Sequence, residues 1–372
     1  MNKVLFELVE KSTEIVEKEN WQYYYQIGDY KFNNVYLANW FEKETNSWAA
    51  FVAQQTDSIK QKLKNEPVDL NHNYNLDFLK KLSNQKVIRL FFSGGTDSLS
   101  ILDLASQNNI IIDELVSVAT GDDINKQENW EIVNLALEEI KNYSNYRTHV
   151  IIQHSREAER QVYKDPYVLY KLPEFGSQFP IFRRMWNFKN DTNKSNILGS
   201  IKPEIVLYKD NWYAVCFDSN YDSVNYSNTM YFNLAVENIH SYVKDSILYR
   251  NYLLENNLVK KDKFSFYKLD RSQSQIIDRV DPKNIKGSLT KVHRPKHEIW
   301  AEKDLHALKD VLFDQDLELL LDYFASLNTL ISTQPYVDLK NKKLSHSKFC
   351  WAINIDTLEV FTQQELIPNG FE

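Results

Sequence analysis

The chain has 372 residues, of which 43% are hydrophobic and 26% charged, so it is not wholly disordered and has room for one large domain or two to three modest ones. Its 51 acidic and 44 basic side chains give a net charge of −7, which disfavours a general nucleic-acid or membrane binder. The cysteines Cys216 and Cys350 lie far apart, which argues against a disulfide scaffold, a zinc knuckle or an iron–sulfur site and favours a reducing cytoplasm.

The N-terminal region, residues 1–85, is predicted to be helical with one hairpin. Apolar residues recur at helical spacing over 3–18, and alternating aromatics over 21–32 favour a hairpin. Helices are expected over 45–64 and 76–82. Residues 1–20 lack the continuous apolar core of a signal peptide, and no run of about 18 apolar residues occurs, so we expect a cytoplasmic protein with no membrane partner.

From residue 86 the pattern changes to alternating strands and helices. Strands are predicted over Lys86–Phe92, Glu114–Ala119 and Thr148–Ile152, with helices over Asp97–Ser106 and Trp130–Tyr143 between them. This alternation is typical of an α/β fold with a parallel sheet and right-handed crossovers.

The rest of the chain has a weaker pattern. Ser195–Leu198 is predicted as a fourth strand that ends at Gly199, and residues 205–217 and 349–361 as hairpins. Residues 232–256 and 302–329 have helical spacing.

These elements predict an α/β fold: a parallel, doubly wound, Rossmann-like sheet with helical and small β additions at both ends. Three regions are expected: the N-terminal region 1–85, a nucleotide-binding domain 86–245, and a mostly helical C-terminal region 246–372.

Glycine is scarce, with eight residues in the chain against a usual share of about 7%. A chain this poor in glycine places it where other residues do not fit. Gly94, Gly95, Gly121 and Gly199 each follow an apolar, strand-like run. Ligands of open parallel sheets bind beyond the carboxyl ends of the strands, so these positions are candidate binding loops.

The segment Ser93–Ser98, with the sequence SGGTDS, joins the first predicted strand to a helix. Two adjacent glycines let backbone N–H groups approach an anion, and the helix N-terminus adds partial positive charge. Asp97 would repel phosphates unless a cation lies between, so we expect it to face a metal ion or to cap the helix. The alternative interpretation is a simple strand-to-helix turn.

This segment resembles the SGGxDS signature of the PP-loop ATP pyrophosphatases, the adenine-nucleotide α-hydrolase superfamily with the HUP-type Rossmann-like sheet. The superfamily includes asparagine synthetase-like enzymes, and the chain is also similar to phage-borne PP-loop proteins. The resemblance is specific over residues 86–125 and loose to about 220. It implies that ATP is the cofactor, with Mg²⁺, and that the loop binds the phosphates that leave as pyrophosphate.

The resemblance also assigns roles to individual residues. The expected pyrophosphate cradle consists of Ser93, Gly94, Gly95, Thr96, Asp97 and Ser98. Residues expected at the adenine, the ribose, the metal ion or a second phosphate loop are Ala119, Thr120, Gly121, Asp122 and Gly199, with Asp97 and Asp122 as metal ligands. Lys202 is a candidate catalytic cation that neutralises charge as pyrophosphate leaves, or alternatively a surface lysine.

Two further basic features are candidate acceptor or lid residues. Arg183 and Arg184 lie among aromatics and are candidate catalytic groups that clamp an adenylate or an acidic acceptor, or alternatively structural ion-pair partners. Residues 281–297 are strongly basic for an acidic protein, and we expect either a lid, a nucleic-acid patch or a solvated loop.

The expected reaction is AMP-forming ligation. The enzyme would adenylate a carboxylate or carbonyl oxygen with release of pyrophosphate, and AMP would leave on amide or amine transfer. A small-molecule or peptide acceptor is favoured because the net charge opposes a long polyanion. The alternatives are a tRNA or DNA base-modifying PP-loop enzyme and a non-catalytic nucleotide-binding regulator. The sequence does not determine the acceptor, the second nucleophile or the oligomeric state.

Overall fold

The computed structural model describes residues 3–9, 50–64, 66–120, 138, 140–154, 193–217, 229–260, 264–277, 279–280 and 349–367. No helix within these ranges is long and apolar enough to cross a membrane. The helices and strands, in chain order, are β1 (Lys3–Val9), α1 (50–64), α2 (Tyr74–Gln85), β2 (Val87–Phe91), α3 (Thr96–Gln107), β3 (Ile112–Thr120), β4 (Tyr146–His154), β5 (Lys194–Leu198), β6 (Glu204–Tyr208), β7 (Asn211–Phe217), β8 (Thr229–Tyr231), α4 (Ile239–Glu255), β9 (Phe264–Lys268), β10 (Phe349–Asn354), β11 (Val360–Phe361) and α5 (Gln363–Leu366).

The larger of two sheets has six strands in the order β1-β4-β3-β2-β5-β8. Each adjacent pair is parallel. Successive strands run outward from β2 through β3 to β4, and the order then reverses, with β5 and β8 on the other side of β2. The predicted parallel α/β fold is therefore confirmed, and its strand order is compatible with a Rossmann-like fold.

In the first βα unit, formed by β2 and α3, the apolar residues that define the sequence pattern are also the residues that pack together. Ile88 and Leu90 of β2 point to one face of the sheet and are fully buried with Leu99, Leu102 and Ala105 of α3. The opposite face of the same strands buries a smaller cluster that includes Phe91, Val116, Ile152 and Leu198. A central parallel strand is buried on both faces, which explains why VIRLF is apolar at nearly every position.

The N-terminal prediction is wrong at residues 3–9, which form strand β1 rather than the start of a helix. The strand pairs with β4 in parallel, from Lys3 beside Thr148 to Val9 beside His154. Seven mostly apolar residues satisfy a helical or an extended pattern equally well, so the unpaired backbone groups at the edge of β4 decide the outcome. The predicted hairpin over 21–32 lies outside the described residues.

A second sheet has five antiparallel strands in the order β11-β10-β7-β6-β9. The hairpin predicted over 205–217 is confirmed as β6 and β7, and Lys209 and Asp210 turn between them with φ of 48° and 61°, as in a type I′ turn. The hairpin predicted over 349–361 is confirmed as β10 and β11. The two predicted hairpins thus belong to a single five-stranded sheet, because strands distant in sequence share a core.

Helix α4 packs on the second sheet and continues through residue 245, the predicted end of the nucleotide-binding domain. Tyr242 anchors it: its hydroxyl donates to the carbonyl of Val215 at 2.6 Å, and its ring lies edge-on to Trp351 with centroids 5.8 Å apart. The three-region division remains a prediction. The helix matters for the site because it also carries Asp245.

Candidate functional site

The SGGTDS loop joins β2 to α3 at the carboxyl edge of the parallel sheet, next to the point where strand order reverses. Gly94 has a φ of 66°, in the left-handed region that favours glycine, and Gly95 is the N-cap of α3 with φ −81° and ψ 157°. Because Gly95 has no side chain, it supplies no capping oxygen to the first N–H groups of α3. A helix N-terminus without a side-chain cap is suited to an anion.

The hydroxyl-bearing residues of the loop differ in exposure. Ser93 is exposed, whereas Thr96 and Ser98 are each 3% exposed. The Ser98 hydroxyl donates to the carbonyl of Gly95 at 3.2 Å, across the first turn of α3. Ser98 thus braces the turn, and Ser93 is the serine of the loop that faces solvent.

A buried network supports the start of the loop. The Ser117 hydroxyl of β3 donates to the carbonyl of Phe92 at 2.7 Å, and His149 Nε2 of β4 lies 2.8 Å from the same hydroxyl oxygen. Since the single hydroxyl proton goes to Phe92, His149 Nε2 is the donor to Ser117. Burial lowers the pKa of His149 to about 4, so the ring is neutral at pH 7.

Gly199 brings the second predicted loop against the first. A β-carbon at Gly199 would lie 2.9 Å from the backbone nitrogen of Ser98 and 3.0 Å from the β-carbon of Asp97. The backbone after β5 therefore runs directly along the first turn of α3, and only glycine permits that approach without a shift. Gly199 thus packs against Ser98, a loop residue more than 100 positions earlier in the sequence.

Asn233 holds the rest of the second loop. Its amide accepts from the backbone nitrogen of Ile201 at 2.9 Å and donates to the Ile201 carbonyl at 2.8 Å. Asn233 is fully buried in the turn after β8. Lys202 follows directly and is 8% exposed, so the alternative of a surface lysine is wrong, while its catalytic role remains a prediction.

Arg279 is the principal residue that the sequence analysis missed. Its side chain is 5% exposed, and Nη1 donates to Asp97 Oδ1 at 2.6 Å and to the Ser200 carbonyl at 2.7 Å. Nη2 donates to the Ile201 carbonyl at 2.9 Å and lies 3.7 Å from Asp245 Oδ2. One guanidinium therefore connects both loops to helix α4. The sequence held no signal for it, because a lone arginine has no spacing pattern.

Asp97 has a different setting from the one expected. The capping alternative is wrong, since Gly95 is the N-cap and Asp97 lies in the first turn with its carboxylate on Arg279. Within the described ranges, no group of three or more His, Cys, Asp and Glu side chains could hold a metal ion. The other predicted metal ligand, Asp122, lies outside the described residues, so magnesium ligation at Asp97 remains a prediction.

The remaining predicted site residues fall into two groups. The backbone of Ala119 and Thr120 forms the end of β3, which adjoins β2 at the same carboxyl edge as the loop. The others lie outside the described residues: Gly121, Asp122, Arg183, Arg184 and the basic segment 281–297.

Comparisons with known proteins add no relative: no family model matches the chain, and no curated protein matches its sequence. The function is therefore inferred from the site itself. Its described part combines a helix N-terminus without a side-chain cap and a glycine that admits a second backbone, and a buried guanidinium braces the two loops. A helix N-terminus of this kind suits an anion such as a phosphate.

Proposed function

We propose that this chain binds ATP at Ser93–Ser98 and splits it to AMP and pyrophosphate, as the PP-loop ATP pyrophosphatases do. One observation carries the proposal: the SGGTDS loop opens α3 at the reversal of strand order and packs against Gly199 from the neighbouring strand. Open α/β sheets bind their ligands at such a point. On this proposal the parallel sheet is of the HUP type.

The loop would hold the β- and γ-phosphates. Backbone N–H groups of Gly95 and the first turn of α3 would donate to the phosphate oxygens, with the hydroxyl of Ser93 as a further donor. The adenosine would lie towards the end of β3, at Ala119, Thr120 and Gly121. Lys202, in the loop that follows Gly199, would offset the charge that develops on the leaving pyrophosphate.

The reaction would transfer the adenylyl group to an acceptor. A carboxylate or carbonyl oxygen of the acceptor attacks the α-phosphorus, and the bond from that phosphorus to the bridging oxygen of the β-phosphate breaks. Pyrophosphate leaves with the bonding electron pair. An amine then attacks the activated carbon of the acceptor and displaces AMP. We favour a small-molecule or peptide acceptor, because the net charge of −7 opposes a long polyanion.

A second candidate function is ATP binding without turnover. It is favoured by one observation: Asp97, the acidic residue of the loop, is paired with Arg279 instead of standing in a described cluster of acidic ligands. In that case the protein would be a nucleotide-dependent regulator, and the loop would sense ATP through the same hydrogen bonds.

Product analysis distinguishes the two. The protein is incubated with ATP labelled in the α-phosphate, Mg²⁺ and the small-molecule fraction of a cell extract, and the nucleotides are separated by chromatography. The proposal expects AMP with an equal amount of pyrophosphate. Ser93→Ala, which removes one exposed donor to a charged ligand, is expected to weaken ATP binding by about 1.5–3 kcal/mol. ADP as the sole product contradicts the proposal, and ATP binding without product favours the regulator.

A further inference from the structure

Arg279 belongs to no sequence motif, yet it lies between a short 3₁₀ segment and helix α3. It follows the short 3₁₀ segment Arg271–Ile277, and its backbone nitrogen donates to the carbonyl of Ser274 at 3.2 Å. The next residue, Val280, donates through its backbone nitrogen to the hydroxyl of Ser100 in α3 at 3.1 Å. The segment is thus tied to α3 at Ser100, directly after the guanidinium-bearing residue.

The guanidinium has a definite electrostatic consequence at the loop. A carboxylate in the first turn of α3 adds negative charge where the helix N-terminus would otherwise attract an anion. The 2.6 Å contact from Arg279 Nη1 to Asp97 Oδ1 places a permanent positive charge directly on that carboxylate. The Arg279 side chain is 5% exposed and that of Asp97 35%, so water screens this pair from the carboxylate side only.

The same contact disfavours a metal ion on Asp97. A divalent cation bound to this carboxylate would lie close to the guanidinium, and the two positive charges would repel each other. The geometry therefore favours one cation on Asp97, and the structure supplies it from the protein.

We propose that Arg279 is a positioning residue that cancels the charge of Asp97 and holds the Ser200–Ile201 backbone beside it, so that the loop accepts a polyphosphate without a metal ion on Asp97. The inference rests on the proposed ATP site, and it explains how a phosphate chain can bind beside the carboxylate of Asp97. The ligand class is a di- or triphosphate chain, bound at the first turn of α3.

A double-mutant cycle tests this, with ATP and inorganic pyrophosphate as ligands in calorimetric titrations. The four proteins are the full-length chain, Arg279→Gln, Asp97→Asn and the double variant, each titrated in EDTA and in excess Mg²⁺. Arg279→Gln is expected to bind both ligands about 10- to 100-fold more weakly, because an unpaired carboxylate then faces the phosphates. Asp97→Asn in the same chain is expected to restore most of that loss.

The restoration separates the proposal from a purely structural role. If Arg279 only holds the two loops together, the double variant binds as weakly as Arg279→Gln or more weakly, which overturns the proposal. If Asp97 is a metal ligand instead, Asp97→Asn removes the Mg²⁺-dependent part of the affinity and Arg279→Gln strengthens it, which also overturns the proposal.

Two further measurements keep the test decisive if Arg279→Gln does not fold. Asp97→Asn alone is expected to bind pyrophosphate in EDTA at least as tightly as the unmodified chain, and weaker binding counts against the proposal. Arg279→Lys, which keeps the charge but not the fork, is expected to retain more affinity than any neutral substitution. An unmodified chain that binds neither ATP nor pyrophosphate refutes the proposed function, whereas normal ligand binding by folded Arg279→Gln refutes only this inference.

Discussion

Gly199 lies so close to Ser98 that a β-carbon on the glycine would be 2.9 Å from the backbone nitrogen of the serine. The contact joins the end of β5 to the first turn of α3, which follows β2, and the order of the parallel sheet reverses between these two strands. The backbone of one predicted loop is therefore part of the wall of the other. Any side chain at Gly199 pushes on the first turn of α3, which the proposed ligand would contact.

We predict that Gly199→Ala destabilises the protein and weakens ATP binding together. The added methyl group meets backbone atoms of Ser98 and Asp97, which cannot rotate away, so a cost of about 1–3 kcal/mol in unfolding free energy is expected. Urea unfolding and calorimetric ATP titration measure the two effects. Asn193→Ala, at the exposed residue just before β5, is the control and should change neither. Unchanged ATP affinity in Gly199→Ala would show that this loop does not contribute to ligand binding.

The two glycines of the loop are predicted to respond differently to the same substitution. Gly94 has a φ of 66°, so Gly94→Ser forces a left-handed conformation on a residue with a β-carbon and costs about 1–2 kcal/mol. Gly95 has φ −81° and ψ 157°, which serine adopts readily, and serine is a favoured N-cap. Gly95→Ser should therefore be neutral or stabilising in thermal and urea unfolding. Equal destabilisation by both changes would contradict the described loop conformation.

Two arginine–carboxylate pairs at the start of the parallel strands give a matched comparison of buried and exposed charge. Arg89 Nε lies 2.7 Å from Glu114 Oε2 with its side chain 6% exposed, whereas Arg147 Nη1 lies 3.0 Å from Asp113 Oδ1 with its side chain 70% exposed. Burial raises the pKa of Glu114, but hydrogen bonds from Lys194 and Arg89 outweigh it and hold the pKa below its usual range.

Arg89→Met is accordingly predicted to cost about 1–3 kcal/mol of unfolding free energy, because it removes one partner from the half-buried Glu114 carboxylate and one from the buried Asn196 amide oxygen. Arg147→Met should change stability by less than about 1 kcal/mol, as exposed ion pairs do. Chemical denaturation of both variants at neutral pH measures the difference. Similar costs for the two would mean that the Arg89 pair is as well solvated as the Arg147 pair.

His149 is predicted to make the protein lose stability as the pH falls below neutral. Burial lowers its pKa from 6.5 to about 4, so between these values the unfolded chain binds a proton that the folded chain does not. Stability contributed by the neutral ring is complete above pH 6.5 and is lost on acidification, by up to about 3 kcal/mol near pH 4.

His149→Gln keeps an N–H donor for the Ser117 hydroxyl but does not titrate. We expect its unfolding free energy to fall less steeply than that of the unmodified chain between pH 6.5 and 4.5, while the difference between the two proteins stays constant above pH 7. Urea unfolding at several pH values measures both slopes. Parallel slopes across the whole range would show that the pKa of His149 is the same in the folded and the unfolded chain.

The sequence pattern predicted an element correctly where its own residues and their immediate neighbours determine its conformation. The strand before SGGTDS and the helix after it were predicted to within two residues, since a buried strand, a glycine turn and an amphipathic helix are each written in consecutive residues. Strand β1 was predicted wrongly as helix, because Lys3–Val9 becomes a strand through its pairing with β4. Its partner is decided by the sheet and not by its own residues.

The sequence alone determined that a glycine-rich turn ends a buried strand and opens a helix, because steric limits on φ and the period of apolar residues act over a few neighbouring positions. Only the tertiary structure decided that Gly199 admits the backbone of Ser98, and that Arg279, 182 residues beyond Asp97, neutralises that carboxylate. A single glycine or arginine has no period to detect. Its partner is set when the burial of two hydrophobic cores brings distant segments together, and the charge and close packing of the site follow from that placement.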